Sequence, residues 1–389
     1  MKVLMLSTDA NILTQGSSAH ERMLEYAKLF EELHIVVYEK AKSEKRKAKN
    51  NKNLYLYPTN SNFRLAYFWQ AYKLGCHIIR NWELEIRNYA ITTQDPFETG
   101  LVGVLLKNKF TIPLQVQCHV DFLNKYFWRE SFKNKFRTLL AKFVLRQADG
   151  IRVVSERIAE ALINHLALPI AKIIVLPIFV DFKKSINAPI KTDLHKKYPD
   201  YDFIILMASR LSHEKNIELA IASMKEVVLK YPRALLLIVG EGSEKNNLEI
   251  DIKKFSLENN IAIEPWTSDL ASYCKTADLF LLTSNYEGYG RTIIEALVAG
   301  LSIVTTNVGI VEKFVSNSLG LIVPVGDKVA LTDAILKMIK RKISGNLRVS
   351  GGVIKDMLSH EEYLRLYKES FSNLLNKYKR YATDVISRD

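Results

Sequence analysis

Cysteine is scarce in this chain, with three among 389 residues, Cys76, Cys118 and Cys274, and no two in a Cys-x-x-Cys pair. That excludes the common zinc frames and fits a reducing compartment. Long apolar runs are missing too. The opening run, Met1-Lys2-Val3-Leu4-Met5-Leu6-Ser7, breaks at Thr8-Asp9, too early for a signal peptide, and reads as a first buried strand. No stretch approaches the ~18 apolar residues of a membrane-spanning helix, so a cytoplasmic protein is expected. There is no internal repeat and no motif of the kind that reads RNA or DNA, so no nucleic-acid partner is expected. No DxD-type acidic pair stands at a strand end, and no metal or other cofactor is expected. Acidic residues are short only in the first half. Residues 1–200 carry 31 Lys/Arg against 19 Asp/Glu, whereas residues 201–389 carry 24 against 23. A one-sided excess of this kind suits an anionic partner met by the first half alone.

What is present is a well-filled α/β pattern. Hydrophobic residues make up 48% of the chain and charged ones 25%, enough for a packed core. Short β-branched runs alternate with amphipathic helical stretches. Strands are expected at 2–7, 34–38, 89–93, 114–118, 150–154 and 173–176, then at 203–208, 234–239, 261–264, 278–283, 302–305 and 320–323. Runs such as Phe203-Ile204-Ile205-Leu206-Met207 are apolar throughout, as strands buried on both faces are. Two doubly wound, Rossmann-like α/β domains follow, residues 1–185 and 186–359, with a last helix over 360–389 that can cross back to the first domain. Residues 40–52, rich in Lys and Asn, read as a solvated loop.

The chemistry gathers at strand ends. Ser284-Asn285-Tyr286-Glu287-Gly288-Tyr289-Gly290-Arg291-Thr292-Ile293-Ile294-Glu295 leaves an apolar strand and enters a helix. Glycines before a helix start let backbone N–H groups close on phosphate or sugar oxygens. Glu287 precedes the helix and Glu295 lies about one turn inside it. The plainer reading is a turn and an acid favoured by the helix dipole. Arg210-Leu211-Ser212-His213-Glu214-Lys215 follows the strand at 203–208. A forked and a point cation at one strand end can neutralise a leaving diphosphate, although basic residues flank many helices.

On these two strings the chain resembles the retaining family-four glycosyltransferases of GT-B fold, which carry an Arg…Lys pair and an E-x7-E signature in their C-terminal domain. The resemblance implies that Arg210 and Lys215 bind the donor diphosphate. It places Glu287 beside the transferred sugar and Glu295 on the ribose, with Gly288, Tyr289, Gly290, Arg291 and Thr292 lending backbone groups to sugar and phosphates. Gly240, in Gly240-Glu241-Gly242, matches the family's glycine turn near the nucleotide. Trp266 falls where the family lines the base, or else is a half-buried core tryptophan. Gly16 matches one of two glycines that the family often has in its first loop, or is an ordinary loop glycine. His119, in Gln117-Cys118-His119-Val120-Asp121, matches a histidine near the donor sugar; Asp121 is expected to orient it or to meet the acceptor. Asp95 reads as a helix cap. The activity implied is metal-independent transfer from a nucleotide-sugar, UDP being common in the family, with retained configuration and closure of two domains on the donor.

The basic first half concentrates in residues 122–146, with seven Lys/Arg and one acid, Glu130. Phe132, Phe136, Leu139, Leu140 and Phe143 fall on one helical face, which is expected to pack into the core. The cluster Tyr126-Phe127-Trp128-Arg129 suits an anionic membrane surface instead, and a glycan or lipid-linked acceptor would fit a protein peripheral to the membrane. A sugar-nucleotide epimerase, a glycogen-synthase-like polymerase and a non-catalytic basic membrane- or nucleic-acid-binding module are the competing readings.

Overall fold

The computed structural model describes residues 1–40, 49–61, 64–82, 88–316, 318–345 and 357–386. They form two compact units, Met1–Pro177 joined by Ser359–Asp389, and Ile178–Leu358.

The first unit is built on strands β1 (Lys2–Ser7), β2 (Glu32–Val37), β3 (Lys49–Asn51), β4 (Leu54–Pro58), β5 (Tyr89–Thr93), β6 (Leu114–Cys118), β7 (Gly150–Val153) and β8 (Ile173–Val175). They lie in the order β3-β4-β2-β1-β5-β6-β7-β8, parallel except for β3. Its helices are α1 (Ser18–Ala27), α2 (Arg64–Arg80), α3 (Glu98–Phe110), α4 (Lys125–Glu130), α5 (Phe132–Gln147) and α6 (Glu156–Leu166). Strands β1, β5, β6 and β7 are buried nearly throughout, so each must have cover on both faces. Two strands escaped the sequence pattern. β4 is short and alternates Leu54-Tyr55-Leu56-Tyr57, and β3 is held to it by backbone pairing across a turn at Lys52, whose φ is 53°. Lys49–Asn51 is therefore strand rather than loop, while residues 41–48 lie outside the described residues.

In the second unit the strands are β9 (Phe203–Ala208), β10 (Ala234–Val239), β11 (Ile261–Glu264), β12 (Leu279–Leu282), β13 (Ile303–Thr306) and β14 (Gly320–Val323). All six are parallel, in the order β11-β10-β9-β12-β13-β14. Helices α7 (Phe182–Asn187), α8 (Leu194–Lys197), α9 (Ile217–Lys230), α10 (Lys245–Lys254), α11 (Leu270–Thr276), α12 (Arg291–Val298), α13 (Val311–Phe314) and α14 (Lys328–Ile343) accompany them. Two apolar clusters, one on each face of the sheet, fill the space beneath the helices. The border falls at Pro177/Ile178 rather than at 185/186. Residues 178–187 go with the second unit because α7 packs on α12 and Lys275 Nζ donates to the Ile186 carbonyl at 2.8 Å and to that of Ala188.

The chain's last helix, α15 (His360–Ile386), belongs to the first unit. Tyr363, Tyr367, Phe371, Leu374 and Leu375 form its buried face. Tyr367 stacks on Tyr26 at 4.3 Å and Phe371 meets Phe30 edge-on at 5.2 Å. A Cβ on Gly150 would come within 3.0 Å of Leu374 Cδ1, so β7 and α15 approach closely there. Five large side chains buried in this way stabilise the attachment by roughly 10 kcal/mol before ordering entropy is subtracted.

Both sheets turn their connections in opposite directions on either side of one strand pair, β1/β5 in the first unit and β9/β12 in the second. Open parallel sheets hold ligands at the carboxyl ends of such a pair, where the diverging connections leave a crevice.

Helix α5 is turned the other way from the sequence expectation. Its small and polar side chains Asn134, Thr138 and Ala141, with Val144 and Leu145, face the unit, whereas Phe132, Phe136, Leu139 and Phe143 face solvent. The cause is the neighbour. α3 offers Gly100, and Val144 Cγ1 lies 2.7 Å from where a Cβ on it would stand, so only a slim face of α5 fits. Arg137 then fixes the rotation, donating through Nε and Nη2 to Glu98 at 2.8–3.0 Å. Within the cluster before it, Phe127 is buried and stacks on Phe97 at 6.0 Å, while Trp128 is exposed.

Candidate active site

At the second unit's switch point the loops after β9 and β12 are tied to each other. Thr283 Oγ1 donates to the Lys215 carbonyl at 2.9 Å, Asn285 N–H to the Glu214 carbonyl at 2.8 Å and Asn216 Nδ2 to Asn285 Oδ1 at 3.1 Å. Asn216 adopts a left-handed φ of 46°, which ends the short 3₁₀ turn His213–Lys215 and starts α9. In this frame Lys215 Nζ reaches Glu287 Oε1 at 2.5 Å, and Ser284 Oγ donates to the same oxygen at 2.8 Å. Both charged side chains are mostly covered, at 13% and 14% exposure, so the pair sits in a medium of low polarity.

Gly290, with φ 94°, is the N-cap of α12. A side chain is disfavoured at that φ, and no side-chain cap covers the helix start. The N–H groups of Arg291 and Thr292 stand in the first turn, which has no intrahelical carbonyl to offer them. Their partial positive charge faces outward from the carboxyl edge of the sheet. Arg291 Nε donates to Glu295 Oε1 at 2.8 Å along the helix. The Tyr289 ring is buried, so this residue presents its turn through the backbone, and its carbonyl accepts Ile310 N–H at 3.1 Å.

Gly240 has φ 154°, and a Cβ there would fall 1.9 Å from the Ser209 carbonyl oxygen. The glycine turn is pressed against the loop that carries Arg210. Leu211 N–H donates to the Glu241 carbonyl at 2.8 Å and Glu244 N–H to the Leu211 carbonyl at 3.0 Å. The Arg210 guanidinium is exposed and holds Glu214 at 3.1 Å; it does not share the Lys215–Glu287 contact. Trp266 is 70% exposed, which removes the core reading and leaves its ring at the surface after β11.

The first unit's predicted residues also stand at carboxyl ends. Gly16, with φ 79°, turns the chain between the 3₁₀ turn Ala10–Leu13 and α1. Ser17 then caps α1, accepting from His20 N–H at 3.1 Å and donating to the Asn11 carbonyl at 2.6 Å. Nothing lies within 4 Å of a Cβ added to Gly16, so φ alone favours glycine there. Asp95 accepts Phe97 N–H at 2.8 Å ahead of α3, a turn leading into the helix rather than its cap, since Phe97 holds the cap position. Burial raises the Asp95 carboxyl to about 6.

His119 follows β6, and its Nε2 lies 3.2 Å from Gln117 Oε1. Gln117 Oε1 also accepts from Arg152 Nη1 at 2.8 Å. A guanidinium only donates, so the amide orientation is settled, and His119 must carry its proton on Nε2. Nδ1 is then left as an acceptor. Burial, with Arg152 and Arg22 nearby, pushes the imidazole down to about 3. Asp121 does not orient His119: its carboxylate is bonded by Asn124 Nδ2 at 3.3 Å. Gln117 does that work. Arg152, buried inside β7, donates further to Tyr363 Oη at 3.0 Å and to the Leu176 and Pro177 carbonyls, and lies over the Tyr367 ring at 5.1 Å. Tyr363 Oη meets Tyr26 Oη at 2.7 Å, and burial raises Tyr26 and takes Tyr367 to about 12, so both phenols stay neutral. A buried cation among neutral partners lends positive potential to the neighbourhood of His119.

Sequence reasoning passed over Ser284, Gly309, Gln117 and Arg152. A Cβ on Gly309 would lie 2.4 Å from the Tyr289 carbonyl and 3.1 Å from Glu287 Cβ, so this glycine admits the motif loop. Arg152 did leave a signal: a charge within the strand Gly150-Ile151-Arg152-Val153 must find buried partners.

Two family models match the chain, glycosyl transferases group 1 over residues 191–350 and glycosyl transferase 4-like domain over residues 65–178. Among curated relatives, an uncharacterised glycosyltransferase of Methanocaldococcus jannaschii is 27% identical over 72% of this chain and 70% of its own length. The alpha-monoglucosyldiacylglycerol synthase of Streptococcus pneumoniae is 24% identical over 66% of this chain, which spans only 59% of that relative. The Escherichia coli UDP-Gal:alpha-D-GlcNAc-diphosphoundecaprenol alpha-1,3-galactosyltransferase is 25% identical over 67% of this chain and 69% of its own length. In fold, Anabaena HepE, solved in complex with UDP, matches over the full length of both chains at a TM-score of 0.66 and 16% identity. Sucrose-phosphate synthase from Thermosynechococcus elongatus does so at 0.68 and 17%. With its two parallel-sheet units and both family domains, the chain belongs to the glycosyltransferases of GT-B fold and is a glycosyltransferase.

Proposed function

We propose that the protein transfers a sugar from a nucleoside-diphosphate sugar, a UDP-sugar first among the choices, to a lipid-linked or cell-surface glycan acceptor, with retention and without a metal ion. The observation that carries the reading is the Lys215–Glu287 contact at the β9/β12 switch point, beside the uncapped start of α12. A diphosphate entering there meets Lys215, Arg210 and the first N–H groups of α12, so the charge that builds on the leaving group is met by groups already in place. Glu287 can exchange its lysine contact for a sugar hydroxyl, and Glu295 can hold the ribose. His119, neutral with Nδ1 as acceptor, suits a bond from a sugar hydroxyl.

In the reaction the bond from the anomeric carbon to the diphosphate oxygen breaks and a bond from that carbon to the acceptor oxygen forms. The acceptor proton passes to the departing phosphate oxygen on the same face, which retains configuration without a covalent enzyme intermediate. The UDP in Anabaena HepE and the lipid acceptors named for the pneumococcal and Escherichia coli relatives support the choices of donor and acceptor. The basic excess of residues 1–200 supports an anionic membrane surface as the meeting place. No described helix is long and apolar enough to cross a membrane, so contact through a surface is the form such an association would take.

A screen of UDP-, GDP- and ADP-sugars for donor hydrolysis, backed by calorimetry with the free nucleotides, tests this. One nucleotide should bind in the micromolar range and its sugar should be released slowly. Binding of none refutes the assignment of the site, and release of an epimerised sugar without acceptor would make the protein an epimerase.

A further inference from the structure

Helix α5 presents Phe132, Phe136, Leu139 and Phe143 at 87%, 66%, 56% and 49% exposure. At 100° per residue these four fall within an arc of about 60° and run for about 16 Å. The helix cannot roll them inward, because Gly100 admits only its slim face and the Arg137–Glu98 fork locks its angle. The neighbouring helices of the same layer add Trp69 from α2 and Leu105 from α3, both exposed, and Trp128 stands outward on α4. The margins are cationic. Lys135, Lys142 and Arg146 border one side of the stripe and Lys133 the other, and Lys135 Nζ sits over the Phe132 ring at 4.8 Å. Residues 122–146 contain one acid, Glu130, against seven bases.

We infer that this face of α5 is a docking surface for an anionic phospholipid bilayer, lying in the interface with its aromatic stripe among the acyl chains and its lysines and arginines at the headgroups. Charge selects the occupant. Two copies of the chain joined through this face would set one cationic margin against another, whereas a phospholipid surface supplies both the apolar depth and the opposite charge. Long basic side chains flanking an apolar stripe can extend to headgroup level while their stems stay apolar. In giving the surface a purpose we rest on the membrane-borne acceptor proposed above, which it would bring within reach.

The test is cosedimentation of the full chain with vesicles of phosphatidylcholine alone and of phosphatidylcholine with phosphatidylglycerol, followed also by Trp128 fluorescence. Binding should require phosphatidylglycerol and weaken as salt rises. The variant Phe132→Ser/Phe136→Ser and, separately, Lys135→Glu/Lys142→Glu should each lower the partition coefficient by about tenfold or more. Phe132 and Phe136 are exposed and Lys135 and Lys142 half-buried, so circular dichroism and thermal midpoints are read on each variant and should show an unchanged fold. Equal binding to both vesicle types, no binding at all, or unaltered partition of both variants overturns the proposal. So does a dimer in sedimentation velocity that the aromatic variant dissolves, which would make the stripe a self-association face. Donor hydrolysis without lipid is read in parallel. A chain that hydrolyses donor but ignores vesicles loses this surface and keeps the transferase reading; one that binds vesicles but no nucleotide does the reverse.

Discussion

Replacing Lys215 by methionine should separate what the lysine does for the fold from what it does for the reaction. The side chains are of similar length, so the change removes a charge and leaves most of the packing. Lys215 Nζ stands 2.5 Å from Glu287 Oε1, and Ser284 Oγ is that oxygen's other partner. A fully buried pair broken on one side costs about 3–5 kcal/mol. Here 13–14% of each side chain remains exposed, so water relieves part of the loss, and about 2 kcal/mol is expected. Lys215→Met together with Glu287→Gln leaves no stranded charge, and the coupling between the two changes should be about 1–2 kcal/mol in favour of the double variant. Donor turnover should respond otherwise. Loss of one preorganised cation at the leaving diphosphate should cost about 100-fold to 1,000-fold in kcat, and the double variant should not regain it. Amide hydrogen exchange in β9 and β12 reads the stability of the second unit separately, and single-turnover donor hydrolysis reads the chemistry. Additive stability effects would refute the pairing as a determinant of the fold. A Lys215→Met enzyme within about threefold of wild type would refute the lysine's part in stabilising the leaving group.

Gly240→Ala should destabilise the second unit by about 3 kcal/mol or more and abolish nucleotide binding by calorimetry, because the new methyl meets the Ser209 carbonyl and φ is already 154°. For His119 the folded value of about 3 lies below the ordinary 6.5, so the unfolded chain takes up the proton first. Its contribution to stability is full above about 6.5 and falls by up to ~1.4 kcal/mol per pH unit below that, until the folded pKa is reached. Asp95, raised to about 6, works in the opposite sense, gaining stability as pH drops from there towards the ordinary carboxylate range. Exchange protection of β5 and β6 between pH 7 and 5 should therefore fall less steeply in His119→Gln than in wild type. Arg152→Met should destabilise the first unit by about 3 kcal/mol through stranded acceptors on Gln117 and Tyr363 and should raise the His119 pKa, measured by its ring proton shifts in an NMR titration. Turnover should be unchanged by EDTA, and a loss restored by magnesium or manganese would end the metal-independent proposal.

Strands buried on both faces were plain in the sequence because nothing but an apolar run survives there, and twelve of the fourteen strands begin and end within two residues of their expected runs. β4 was missed because half of its side chains meet a wetter face and its length is only five residues. The motif after β12 was legible because glycine and acid at fixed spacing serve a helix start, a local matter. What lay beyond reach was partnership across the chain. Nothing in the stretch from Phe132 to Phe143 says that Gly100, over thirty residues earlier, lets Val144 pack where a Cβ would stand and so turns the slim face of α5 inward. A periodic apolar stripe marks a face that will be covered; whether by the protein itself is decided by its neighbours. His119 was singled out by its place at a strand end, but Gln117 and Arg152, which set its proton, act through side chains that meet only once the sheet is assembled.

The return of the last helix to the first unit has a consequence for synthesis. On the ribosome, residues 1–177 emerge early but lack Tyr363, Tyr367 and Phe371, which close over Arg152 and Tyr26. The unit 178–358 is continuous and can mature as it leaves the exit tunnel. The nascent chain should therefore complete its middle before its beginning, and a message cut short of codon 359 would yield a finished second unit attached to an unfinished first one.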